Sequence, residues 1–243
     1  MKYGKALLVF IMLLSLSACA QSINTSEESV DNSDIQSGTG SVAEAVTSSD
    51  TEEMTEIVYF GTYPKSTETP EPIEWIVLDR QNDKTLLLAK NCIDSLPWHN
   101  AHEQAAWDNS DIRAWLNGEF LQTAFTEVEQ ENILLSDLDN GDDLKYGTPV
   151  GTDTQDKVFL LSGAEAENYF PSDDSRTAKP TRYAITHGAY TNDSSDCAWW
   201  LRSPGMTGIS PAYIASAGSI GNRAHEVDES IIGIRPAIWI KTD

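Results

Sequence analysis

CAWWLRSPG, Cys197 to Gly205, sets two tryptophans side by side, follows them with an arginine and stops at Ser-Pro-Gly. Successive side chains of an extended segment point to opposite faces, so Trp199 and Leu201 share one face while Trp200 and Arg202 share the other. The first pair reads as core. The second has two readings. Exposed, Trp200 and Arg202 form a flat aromatic beside a planar cation, suited to stacking on a ligand ring. Buried, Arg202 needs a counter-charge, because an unpaired charge inside a domain is too costly to keep. Asp111 and Asp196 are then the candidate partners.

Outward from this stretch, short apolar alternations bounded by turn residues recur. IVYFG (57–61), IEWIVLD (73–79) and KTLLLAK (84–90) read as strands, the last two joined by the turn RQND. KVFLL, AWWLR, AYIAS and IRPAIWI repeat the pattern towards the end of the chain. Helix signals lie between the two groups. Ile112, Trp115 and Leu116 fall on one helical face after an Asn109/Ser110 cap, and Gly118 marks the expected end. Thr126 with Glu129, and Ser162 with Glu165, have capping-box spacing. Strands, then helices, then strands predict an α+β domain of small antiparallel sheets, two or three short helices and long loops. Tyr146, Tyr183 and Tyr190 in those loops are expected to pack on the core.

The chain opens with Lys2 and Lys5 ahead of an apolar run from Ala6 to Leu14, then small residues leading to Cys19. That is an export signal, too short for a membrane-spanning helix. LSAC at 16–19 resembles the lipobox of bacterial lipoproteins, which implies cleavage before Cys19 and acylation of its thiol. The expectation is a protein anchored by lipid to the outer face of the cell membrane. Residues 20–55 hold no aromatic, Lys or Arg, cannot offset the entropy of ordering themselves, and read as a disordered Ser/Thr/acidic tether. Residues 56–243 read as a single globular domain. A formal net charge of -22 excludes nucleic acid as an expected partner.

Candidate sites are few. Behind the signal only Cys92 and Cys197 remain, either as a disulfide or as two buried thiols; a bridge would close a loop of about a hundred residues and stabilise by several kcal/mol in the chain-entropy model. His99 and His102 have a spacing that could present two nitrogens to a metal, but a third and fourth ligand are not identifiable in the sequence. Asp137, Asp139, Asp142 and Asp143 surround Asn140 and Gly141 in an acidic turn. They could hold Ca²⁺ or merely solvate the turn, and the glycine comes one position early for an EF-hand. Trp98, His99 and Asn100 combine an aromatic with polar neighbours after a proline. They either grip a sugar or peptide face, or Trp98 folds inward as a lid on the core. Trp75, Trp107, Trp115, Trp199 and Trp239 read as core.

The ordered blocks FGTYP, EPIEWIVLD, TLLLAK, WDNSDIRAWLN, AFTEVE, DKVFLLS, WWLRSPG and GIRPAIWI resemble a bacterial surface-protein family known as domain of unknown function 6273. That family is in turn similar to the C-type-lectin-like fold shared with formylglycine-generating enzymes. The resemblance implies that the first and last strands pair and that loops project from one side. It points to a non-enzymatic surface module binding an extracellular glycan or protein, with no cofactor. The rivals are an enzyme of the formylglycine-generating fold group and a passive structural domain. The contexts AKNCIDS and SSDCAWW do not match the cysteine site of those enzymes, and fold alone transfers no activity.

Overall fold

The computed structural model describes residues 56–141 and 147–242. The chain divides into two units, Met1–Thr51 and Glu52–Asp243, and the described residues belong to the second. The signal at 1–19 with Cys19, the tether at 20–55, Asp142, Asp143 and Tyr146 lie outside them.

Strands β1 (Ile57–Pro64) and β2 (Pro70–Gln81) pair antiparallel, with a register shift between Tyr59 and Thr62. Gly61 sits in that shift at φ +68°, and a Cβ there would lie 2.5 Å from the Phe125 ring, so only glycine lets the strand approach the helical layer. Strand β3 (Lys84–Ala89) returns from β2 and is buried from Thr85 onward, as a central strand must be. After β4 (Asp94–Ser95), α1 (Asp111–Trp115) starts at Ser110, whose hydroxyl accepts from Arg113 N. The helix does not stop at Gly118. It runs through a π turn (Leu116–Phe120) into α2 (Leu121–Ala124), because the buried stripe Ile112, Leu116, Phe120 and Ala124 outweighs one glycine.

Both expected capping boxes are present, opening α3 (Glu127–Asn132) and, after the hairpin of β5 (Ser136–Leu138) and β6 (Thr154–Asp156) and the short β7 (Val158–Phe159), α4 (Gly163–Tyr169). Two further short helices, α5 (Asp173–Arg176) and α6 (Arg182–Thr186), start on the side chains of Ser172 and Thr181. Helical segments are therefore more numerous than two or three. Several are a single turn long, below the length at which periodicity is readable. The remaining strands are β8 (Trp199–Thr207), β9 (Ser210–Ile214), β10 (Ile220–Gly221), β11 (Gly233–Ile234) and β12 (Ala237–Lys241).

The architecture is α+β. One five-stranded sheet has the order β1-β2-β3-β12-β7 and another the order β10-β9-β8-β11-β4; all pairings are antiparallel except β8 with β11. The expected pairing of first and last strands is corrected: β12 lies between β3 and β7, and β2 and β3 separate it from β1. Strand β3 is wholly apolar from Leu86 to Ala89 and takes the central place beside β12, whereas β1 is mostly half-buried and takes the edge.

Pro236 interrupts IRPAIWI, so β11 and β12 serve different sheets. Arg235 at that break is buried, its Nε donates to Ala89 O at 2.8 Å, and its guanidinium lies 5.1 Å from the Trp199 ring. Burial depresses its pKa to about 10. Trp75, Trp107 and Trp199 are buried as expected, while Trp115 and Trp239 are half-buried against the core. Tyr183 packs edge-on against Tyr63. Tyr190 departs from expectation: it is 69% exposed, since its backbone is held by Ile231 O while its ring faces solvent.

Candidate functional site

Strand β8 answers the question its sequence poses. All four residues from Trp199 to Arg202 are buried, so the strand has protein on both faces. The Trp199 indole N–H donates to Arg176 O at 3.0 Å and that of Trp200 to Leu96 O at 3.2 Å. Trp98, also buried, stacks edge-on to Trp200 at 6.1 Å. Neither Trp98 nor Trp200 offers a ring to solvent, which removes the stacking surface that exposure would have created.

Arg202 is 5% exposed. Its counter-charge is Glu165, not Asp111 or Asp196. Nη2 donates to Glu165 Oε1 at 2.8 Å, Nη1 donates to Glu165 Oε2 and, at 3.0 Å, to Leu160 O. This is a bidentate fork. Glu165 is held for it by the capping box, since its Oε2 also accepts from Ser162 N at 2.9 Å. Asp111 instead accepts from Asn100 N at 2.8 Å and lies beside His99, and Asp196 pairs with Lys179. Asn100 is exposed and His99 half-buried, so the LPWHN segment splits: its aromatic goes inward, its polar pair stays near the surface.

The Arg202–Glu165 pair forms one wall of a cleft of about 420 Å³. The start of α4, strand β8 from Arg202 to Pro204, Ala212 of β9, Ile220 of β10 and the turn at Asp139 and Asn140 line it. Two polar atoms of its lining residues have no hydrogen-bond partner among the described residues: Arg202 Nε, a donor, and Asn140 Oδ1, an acceptor. Both residues are more than nine-tenths buried. Asn140 is fixed by its amide, which donates to Thr152 O and Thr154 Oγ1 at 3.0 and 3.1 Å. Both atoms are themselves shut off from solvent, and buried polar groups left unpaired are costly. Asp139, Glu165 and Glu167 give the cleft an acidic rim.

The other candidates fall elsewhere. Cys92 and Cys197 are two free, buried thiols in contact, not a disulfide. Burial pushes the Cys92 thiol well above its ordinary pKa, the reverse of what a nucleophile needs. Asp137 accepts from Gln155 across the β5–β6 hairpin, and Asp139 accepts from Gly141 N in a turn of its own, so hydrogen bonds within the hairpin occupy both.

Sequence reading missed Asn140 as a site residue, the second role of Glu165, and a three-residue cluster: His187 Nδ1 lies 2.7 Å from Asp94 Oδ1, while Tyr63 donates to Asp94 Oδ2 at 2.6 Å. The partners are 93 and 31 residues apart, and only the fold brings them together.

The family model described as Domain of unknown function (DUF6273) matches residues 82–242. The chain belongs to this family. The match begins in the β2–β3 turn, yet β1 and β2 complete the same sheet as β3 and β12, so in this chain the DUF6273 domain is built with an N-terminal hairpin contribution. The matched span contains the Arg202–Glu165 fork, the cleft and both thiols. No curated protein and no solved structure matches the chain.

Proposed function

We propose that this is an exported lipoprotein, acylated at Cys19, whose DUF6273 domain binds an extracellular glycan non-enzymatically in the cleft between α4 and strands β8 to β10. The observation that carries this reading is the pair of unpartnered buried atoms, Arg202 Nε and Asn140 Oδ1, on residues lining one concave site. A sugar hydroxyl both donates and accepts, so it matches each kind of atom once a small shift of the Arg202 or Asn140 side chain opens that atom to the cleft. A cavity of about 420 Å³ is in the range of small-ligand sites, and a concave polar pocket suits a short saccharide better than the broad face a protein partner requires. The signal and the acidic segment 20–55 support display of the domain away from a membrane surface. We also propose a C-type-lectin-like fold; two small sheets and long connections support it, while the separation of β1 from β12 departs from the strand pairing that fold implies.

The rival reading, an enzyme working through paired cysteines, has Cys92 and Cys197 in contact in its favour. Their complete burial weighs against it, because no substrate reaches them. The test is an array of bacterial and host surface glycans probed with the full chain. Saturable binding with no change in the mass of the bound glycan supports the reading. Absence of binding across the array, or chemical turnover, refutes it.

A further inference from the structure

We propose that His102, Glu226 and Asp228 bind a divalent transition-metal ion. His102 Nδ1 lies 3.1 Å from Asp228 Oδ1 and 3.5 Å from Glu226 Oε2, and one ligand atom from each residue falls within 4.8 Å of the others. Ligand atoms held at about 2.0 to 2.2 Å from a tetrahedral zinc ion stand about 3.3 to 3.6 Å apart. Two edges of the triangle, set here by the His102–Asp228 hydrogen bond and the ion-pair contact with Glu226, are thus near metal-bound length, and the ion would take the place of the shared proton.

Two loops distant in sequence supply the ligands, and the backbone between them is fixed. His99 N donates to Val227 O at 2.9 Å, and Val227, which separates the two carboxylates, is buried. The anchor at Val227 leaves Glu226 and Asp228 exposed on either side of it, both within reach of His102. A nitrogen ligand among the three separates this group from an ordinary acidic patch, since imidazole favours zinc and its neighbours over calcium or magnesium. All three residues are exposed, which leaves the remaining coordination positions to water. Carboxylates brought this close on a chain of net charge -22 repel one another, and a divalent cation relieves that repulsion. None of the three lines the cleft, so the metal site stands whether or not the glycan reading does.

The test is calorimetric titration of the full chain with zinc chloride, repeated on His102→Ala, Asp228→Asn and Glu226→Gln, with Glu103→Gln as a control outside the triad. The parent is expected to bind zinc, each triad variant to weaken that component by at least about tenfold, and Glu103→Gln to leave it unchanged. Calcium chloride is expected to give no comparable binding. Because the substituted side chains are exposed, thermal melts without zinc are expected to coincide, and zinc is expected to raise the melting temperature of the parent but not of His102→Ala. Absence of zinc binding below millimolar concentration, or an isotherm unchanged by His102→Ala and Asp228→Asn, overturns the proposal.

Discussion

Replacing Arg202 by Ala removes the charge that balances Glu165 in its fork and leaves Leu160 O without its 3.0 Å donor. Arg202 is 5% exposed and Glu165 33%, so the two sides of the pair are not equivalent. Once Arg202 is gone, Glu165 can recover water. The main losses are the fork, the carbonyl bond and the packing of the guanidinium 5.9 Å from the Phe159 ring, together about 2 to 4 kcal/mol. Glu165→Gln keeps the shape but leaves the buried Arg202 guanidinium without a counter-charge, so it is expected to cost about 3 to 5 kcal/mol. The double variant is expected to cost less than the two singles combined, by about 1 to 3 kcal/mol, because the groups share one interaction. Equilibrium unfolding in urea at neutral pH measures all three, and a loss of about 3 kcal/mol moves the midpoint by about 1 to 2 M. If Arg202→Ala shifts stability by less than about 0.5 kcal/mol, as an exposed substitution does, the strand is not closed on both faces and the reasoning fails.

In a Cys19→Ser background, Cys92 and Cys197 are expected to resist a thiol reagent while the protein is folded and to react fully on unfolding without reductant; native reactivity, or silence after unfolding, contradicts two buried free thiols. Burial, then the neighbouring Asp94 charge, raises the Tyr63 phenol above its ordinary pKa of about 10. Its folded-state pKa exceeds the unfolded one, so its contribution is complete below about pH 10 and falls as pH rises beyond that. The stability gap between parent and Tyr63→Phe should therefore narrow between about pH 9 and pH 11 in urea melts; a gap that widens reverses the sign and the assignment.

Strand existence was legible because β2, β3, β8 and β12 carry long apolar runs, and the caps at Thr126 and Ser162 were legible because their chemistry is local. What failed was topology. Nothing in GIRPAIWI says that Pro236 hands the chain from one sheet to another, or that β12 enters beside β3 instead of β1. The site shows the same division. The local Ser162–Glu165 box was readable, but Glu165 meets Arg202 across 37 positions, and Asn140 looked like one polar residue of an acidic turn. Trp98 and Trp200 drew attention as aromatics near polar residues, and both are core. His102 was noticed for its spacing to His99, whereas its near neighbours are Glu226 and Asp228.

The central claim is that the α4–β8 cleft holds the ligand, and filling the cleft tests it most directly. A Cβ on Gly163 meets nothing nearer than Ser203 Oγ at 3.7 Å and Gly163 lines the cleft, so the side chain of Gly163→Trp is expected to extend into it. Calorimetry with the glycan that the array identifies should show affinity reduced by at least about a hundredfold, about 2.7 kcal/mol, with the urea midpoint unchanged. Undiminished affinity in Gly163→Trp would place the ligand elsewhere and contradict the account.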